Sequence, residues 1–408
     1  MPYNQLSQNR PTHYIKKPFG TFNENKPDMN KRSKPTLQPF FLFIFLKITI
    51  LTIFTLEAVP QELGVPAVNF EPETYVVHKA QSPIKIDGVL EDESWQNTEW
   101  TRSFVDIRGE NAPKPRYNTR AKMLWDDDYF YIAAKLEEPH VWATITERDA
   151  VIFMDNNFEV FIDPTGDTHH YYELEVNAFG TIWDLMLTRP YRNGGRAIDA
   201  WDIKGLKVGI DIQGTLNDPT DIDEGWTVEL AIPWDVLEEA APGGKPQDGT
   251  QWRLNFSRVQ WQTEIIDGKY VKKTDPETGE DLPEDNWSWS PQGLINMHYP
   301  EMWGYVQFSD EPSDGQQVEF EWNEIENLKW LMRKLYYRQV YYYNEHGSYA
   351  NQPGELDFEE LYRSLISENS PLPNLTILTL DQNYLMKLLS DNFEENIYIR
   401  KDSKIWTD

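Results

Sequence analysis

The sequence predicts a mainly β protein: an antiparallel β-sandwich, jelly-roll or immunoglobulin-like, with a small C-terminal α+β extension. Two observations point there. From about Tyr75 to Phe308, short runs of β-branched and aromatic residues alternate with turn residues, without the long intervening helices that a parallel sheet needs. Within Trp226–Ile232 the even-numbered residues are apolar, whereas Thr227 and Glu229 face the other way, the period of a sheet with one buried face.

The elements follow in order. Arg120–Trp125 and Tyr129–Leu136 flank the polar turn Asp126-Asp127-Asp128 and predict a hairpin. Phe158–Asp163 and Tyr171–Asn177 flank Pro164-Thr165-Gly166-Asp167, and Thr181–Leu187 extends that meander past Phe179-Gly180. Leu206–Gln213, Gly225–Ile232, Gln251–Gln260 and Trp303–Phe308 supply further strands. Pro233–Glu239 reads as a short helix with proline in its first turn. Residues 309–320, with EPSDGQQ at 311–317, read as a linker to a segment spanning 321–408. There Trp322–Glu345 has helical spacing and is stopped by Gly347, Leu356–Ile366 predicts a second helix, and Leu375–Leu380 with Asn396–Trp406 predicts a small sheet. The tyrosines Tyr336, Tyr337 and Tyr341–Tyr343 read as a packing face.

Residues 1–58 differ from the rest, with eight basic residues against three acids in a chain of net charge -29. Lys31, Arg32 and Lys34 precede the apolar run Phe40–Leu56 (residues 40–56), whose only charge is Lys47. This pattern predicts a secretion signal, with Met29 as a candidate start and Ala58 as a candidate cleavage point, or an uncleaved membrane anchor. The expected location is secreted, periplasmic or cell-surface. Strong acidity disfavours nucleic-acid partners, and the absence of cysteine excludes disulfides, thiolate metal sites and cysteine nucleophiles.

Thirteen of the 16 tryptophans lie between Trp95 and Trp303. Indoles stack on the axial C–H faces of sugar rings, while carboxylates and amides bond their hydroxyls, so this composition suits a sugar-binding sandwich. Most of these rings belong to the core, Trp226 by its register. Trp287 and Trp289 alternate with small polar residues near a loop, and one of them is expected to be uncovered.

A resemblance adds to this. Ile84-Lys85-Ile86-Asp87-Gly88, Glu91–Trp95, Leu124-Trp125-Asp126, Tyr129–Ile132, Phe158–Asp163, Trp226–Trp234, Ser288–Ser290 and Trp303-Gly304 resemble, in order and spacing, the family 9 carbohydrate-binding modules and related DOMON-like sandwiches. The resemblance covers 75–308. It implies an oligo- or polysaccharide ligand held between aromatic rings, structural calcium, and service to a glycoside hydrolase. Carried over by position, it implies Phe153 as a sandwiching ring, Glu159 as a hydroxyl acceptor, Glu175 where the family has arginine, and Asn177. The second tryptophan of the family falls near Met297 and His298. Asn177 also reads as a turn residue, and Glu159 as a structural carboxylate.

Calcium candidates are Asp163 and Asp167, beside the acidic turns at Asp126–Asp128 and at Asp218, Asp221, Asp223 and Glu224. The side chains of His169-His170 face apart on a strand and do not readily share an ion. The leading expectation is a non-catalytic exported glycan binder acting in carbohydrate catabolism. One alternative is a hydrolase of O-glycosyl bonds using Glu159, Glu173 and Glu175. Another is a haem module using Met154, Met186, Met297 or His298.

Overall fold

A computed structural model describes residues 64–367, 371–389 and 395–408. The leader lies outside the described residues, and no helix among them is long and apolar enough to cross a membrane.

The first layer uses β1 (Thr74–Lys79), β3 (Thr119–Trp125), β4 (Tyr129–Glu137), β9 (Lys207–Gln213) and β10 (Gly225–Pro233); the short β2 (Val105–Asp106) lies elsewhere. The second uses β5 (Asn157–Asp163), β6 (Tyr171–Asn177), β7 (Ile182–Leu187), β8 (Ala197–Ile198), β11 (Gln251–Gln260), β14 (Asp285–Ser288) and β15 (Gly304–Pro312). A hairpin of β12 (Thr263–Ile266) and β13 (Lys269–Lys272) projects from it. The two layers form one continuous sheet in the order β8-β7-β6-β5-β11-β15-β1-β3-β4-β10-β9, with β14 pairing β11 and β2. Pairing is antiparallel except at β1, which runs parallel to both β15 and β3 and carries the sheet from one layer to the other. That strand and its direction were not read from the sequence.

Residue parity builds the core. Trp226, Val228, Leu230 and Ile232 from the first layer meet Phe158, Val160, Ile162, Tyr172, Leu174, Val176, Leu254 and Phe256 from the second, all buried. Glu229 points to the opposite face, also fully buried. Its carboxylate accepts from Trp95 Nε1 at 2.7 Å, Gly88 N at 2.6 Å and Asp87 N at 3.0 Å. The Ile86-Asp87-Gly88 and Trp95 motifs are therefore a clasp around a buried acid. Gly88 is obligatory there, because its φ is +87° and a Cβ would come within 2.3 Å of Asp211 N.

Among the described residues the helices are α1 (Glu93–Gln96), α2 (Trp234–Leu237), α3 (Ile325–His346) and α4 (Phe358–Leu365). α3 ends on Gly347, left-handed at φ 71°, whose N–H bonds Tyr343 O at 2.8 Å. Tyr336 and Tyr337 are buried as expected, but Tyr341 is exposed. The terminal sheet has four strands, β16 (Asn374–Leu380), β17 (Asn383–Leu389), β18 (Ile397–Arg400) and β19 (Ile405–Thr407), in a meander. It packs on α3 around Met386, Leu388, Ile399, Leu331 and Leu335.

Candidate functional site

On β5, β6 and β7 of the second layer the odd-numbered residues face away from the core. Glu159 on β5 lies opposite Glu175 on β6, which lies opposite Trp183 on β7; Glu173 is the next outward residue of β6. Apolar clusters bound these acids along the strands. Phe161, Tyr171, Leu185, Leu187, Met297 and Trp303 close one end, and Trp142, Val259, Trp261, Tyr270 and Phe153 the other.

The three carboxyl groups are almost fully enclosed. Asn157 Nδ2 donates to Glu159 Oε1 at 2.9 Å and to Glu175 Oε2 at 3.2 Å. The Phe153 N–H also reaches Glu175, and Glu173 stands close enough to Glu175 for the two carboxyls to interact. Burial raises Glu159 to about 7, with Glu284 adding to the effect. Burial, then repulsion from Glu159, raises Glu173 and Glu175 well above the usual carboxylate range, with Asp199 adding at Glu173 and Glu173 adding at Glu175. Burial thus disfavours charge on this floor, and a carboxyl that keeps its proton there offers an O–H donor as well as a carbonyl acceptor.

Aromatic rings rim this floor. Phe153 and Trp183 are half-buried, their ring centres 6.4 Å apart and tilted by 33°. Tyr191 is 46% exposed and stands edge-on to His298 at 4.6 Å. Its hydroxyl is raised by burial and then by Glu173, Asp199 and Glu175, so it shares their field. Trp261 donates from Nε1 to Phe153 O at 2.8 Å, and the Lys272 ammonium sits 3.3 Å over the Trp261 ring.

The structure thus brings Phe153, Glu159 and Glu175 together. Met297 and His298 lie at the far end of the same face. His298 bonds Tyr171 OH through Nδ1 at 2.9 Å, and burial together with Arg192 lowers it to about 3, so it is neutral. Asn177 is wholly enclosed and committed to its turn: Oδ1 accepts from the Phe179 and Thr181 N–H groups, and Nδ2 donates to Ile145 O and Asp155 Oδ2. Trp287 and Trp289 require a correction, because both rings are buried, at 2% and 1% exposure, on the core side. β14 is paired on both edges, and Ser288 and Ser290 find internal acceptors at Ser290 O and Met302 O. The small polar neighbours therefore do not mark exposure.

Four contributors were not singled out in the sequence: Trp183, Tyr191, Trp261 and Lys272. Trp183 shares odd parity with Leu185 and Leu187 on a strand apolar on both faces, so alternation there carries no signal.

Asp163 and Asp167, the calcium candidates, both have partners within the protein. Asp163 is occupied by the Gly166 and Thr168 N–H groups at 2.9 and 2.8 Å, and Asp167 by Lys404 at 3.0 Å. Asp126, Asp218, Asp221 and Asp223 likewise accept from donors of their own loops. Asp149, Asp184 and Asp202 bring ligand oxygens within 4.8 Å of one another, but the Arg148 guanidinium pairs with all three. His169 bonds Asp402 O at 3.0 Å while His170 is exposed. The haem candidates do not converge: Met154 is exposed, Met186 packs on the core side and Met297 lies in the outer-face cluster.

Fold and face together define a two-layer β domain whose outer face is a floor of enclosed carboxyls rimmed by aromatic rings. Residues 86–290, half of the chain, match the Carbohydrate family 9 binding domain-like family, and the chain belongs to it. Three solved structures are similar. A family 9 carbohydrate-binding module from Caldicellulosiruptor kristjanssonii in complex with cellotriose is 18% identical over 61% of this chain and all of its own, with a TM-score of 0.37. The glucose complex of a family 9 module from the same organism is 18% identical over 60% of this chain and all of its own, also at 0.37. A Bacteroides uniformis protein, provisionally assigned as carbohydrate-binding, is 19% identical over 59% and all of its own, at 0.41. No curated protein matches the chain.

Proposed function

We propose that this chain is an exported carbohydrate-binding protein that holds a neutral glycan on the outer face of its second layer. One observation carries the reading: Glu159, Glu173 and Glu175 form an enclosed hydrogen-bonding floor, on which burial disfavours charge, beside the half-buried Phe153 and Trp183 and near the exposed Tyr191. A pyranose has an apolar C–H face for a ring and equatorial hydroxyls that both donate and accept, and this arrangement meets each need. Each ring adds about 1 kcal/mol beyond area burial, so the expected grip is modest. Export rests on the leader. In this reading the protein presents glycan to hydrolases acting in carbohydrate catabolism.

Glycan-array screening followed by isothermal titration of the chain tests this, with glucose and cellotriose heading the panel. Phe153→Ala and Glu159→Gln are expected to weaken binding without unfolding the protein. If no glycan binds, or both folded variants bind like wild type, the site is wrong. Release of phenol from an aryl glycoside would replace a binding role by a hydrolytic one.

A further inference from the structure

A separate cleft of about 550 Å³ opens between β11 and β15 of the sandwich and the segment 321–329 that enters α3. Its size falls within the range of roughly 300–1,000 Å³ usual for small-molecule sites. Part of its wall lies beyond the residues that match the family, and it shares no lining residue with the carboxyl floor of Glu159, Glu173 and Glu175.

Its chemistry is specific. Arg253 and Lys329 supply two cations, and Glu321 and Glu326 two carboxylates. Neither cation is free to clamp an anion. The Arg253 guanidinium donates to Trp303 O at 2.6 Å and Glu301 O at 2.9 Å and lies 4.0 Å over the Tyr305 ring. Lys329 pairs with Glu326 at 2.7 Å, and Glu326 also accepts from Tyr305 OH at 2.6 Å. What remains is neutral on balance and rich in short-range bonding groups. Gln251 donates to Gln307 Oε1 at 3.0 Å and Glu321 O at 2.6 Å, which fixes its amide and leaves Oε1 without a partner among the described residues. The Glu321 carboxylate is likewise without one there. Trp322 is half-buried, braced edge-on by Tyr305 at 5.2 Å, and lines the cleft.

We infer that this cleft is a second binding site, for a neutral, hydroxyl-rich ligand of mono- to disaccharide size, built jointly by the sandwich and the C-terminal extension. Balanced charge disfavours simple ions, the fixed Gln251 amide oxygen and the open Glu321 carboxylate accept from hydroxyls, and the indole covers an apolar ring face.

The test uses the full chain carrying Trp183→Ala and Glu159→Gln, which disables the outer face, titrated with glucose, galactose, mannose, cellobiose and maltose. Glucuronate and inorganic phosphate are the anionic controls. At least one neutral sugar is expected to bind this background. Adding Trp322→Ala should weaken it about tenfold; if that variant fails to fold, Gln251→Ala, which removes the amide oxygen and keeps the Trp322 ring, should do so instead. The inference is overturned if no neutral sugar binds the background, if the folded variant binds as the background does, or if an anion binds tenfold better than every neutral sugar. The outer-face reading is judged separately, from wild type against the background.

Discussion

Replacing Glu159 with glutamine is expected to stabilise the protein, and to do so only as the pH rises. In the folded protein burial raises this carboxyl from 4.5 to about 7. A group whose folded pKa is raised favours the folded state fully below its unfolded pKa, and that contribution is lost as the pH climbs through the folded value. At pH 8 both states are ionised and the folded protein bears the whole penalty, roughly 3 kcal/mol at 1.36 kcal/mol per pKa unit. At pH 5 most of the penalty has gone. Glutamine keeps an oxygen to accept from Asn157 Nδ2 and carries no charge at either pH. Urea unfolding of wild type and Glu159→Gln at pH 5 and pH 8 should therefore show the variant gaining about 2–3 kcal/mol relative to wild type between the two conditions. An equal difference at both pH values, or a variant that loses ground at pH 8, would refute the claim that a desolvated, mostly neutral floor lies under the rings.

Three further outcomes are expected. Gly88→Ala strains the clasp around Glu229 and should lower stability by about 2 kcal/mol or more in thermal melts, since the backbone sits at φ +87° with Asp211 N 2.3 Å from the new Cβ. Tyr337→Phe removes the α3 hydroxyl that bonds Glu301 at 2.5 Å, the partner of Arg192 at 2.6 Å. Because Arg192 and Asn193 hold the turn bearing Tyr191, glycan affinity should fall about two- to fivefold while the β-sheet circular dichroism stays unchanged. Chelation with EDTA should leave the melting temperature unaltered, since Asp163 and Asp167 are filled by Gly166, Thr168 and Lys404. A drop that calcium alone restores would mean that these turns rearrange around an ion.

Where one face is apolar and the other polar, the fold was legible. The even-numbered register of Trp226–Ile232 placed β10 and its core face, and the turns at Asp126–Asp128 and Pro164–Asp167 placed two hairpins. Legibility failed where both faces are buried or the partner is distant. β1 is a short mixed run whose parallel neighbours lie far along the chain, and no local pattern announces them. Asp267-Gly268, at φ 51° and 73°, is a strong hairpin signal in the sequence that went unread between β12 and β13. At the site, Phe153, Glu159 and Glu175, carried over by position from the family resemblance, fall in one neighbourhood. Spacing could not reveal Trp183, because only cross-strand register sets it opposite Glu175. Trp287 and Trp289 misled for the converse reason: their polar neighbours are satisfied inside the protein.

Most directly at stake is whether an indole beside those acids touches sugar. Calorimetric titration of wild type and Trp183→Ala with the oligosaccharide chosen by array screening decides it. The variant, folded by circular dichroism, is expected to bind about five- to tenfold more weakly, as the loss of one stacked ring requires. Unchanged affinity in a folded variant would contradict the account.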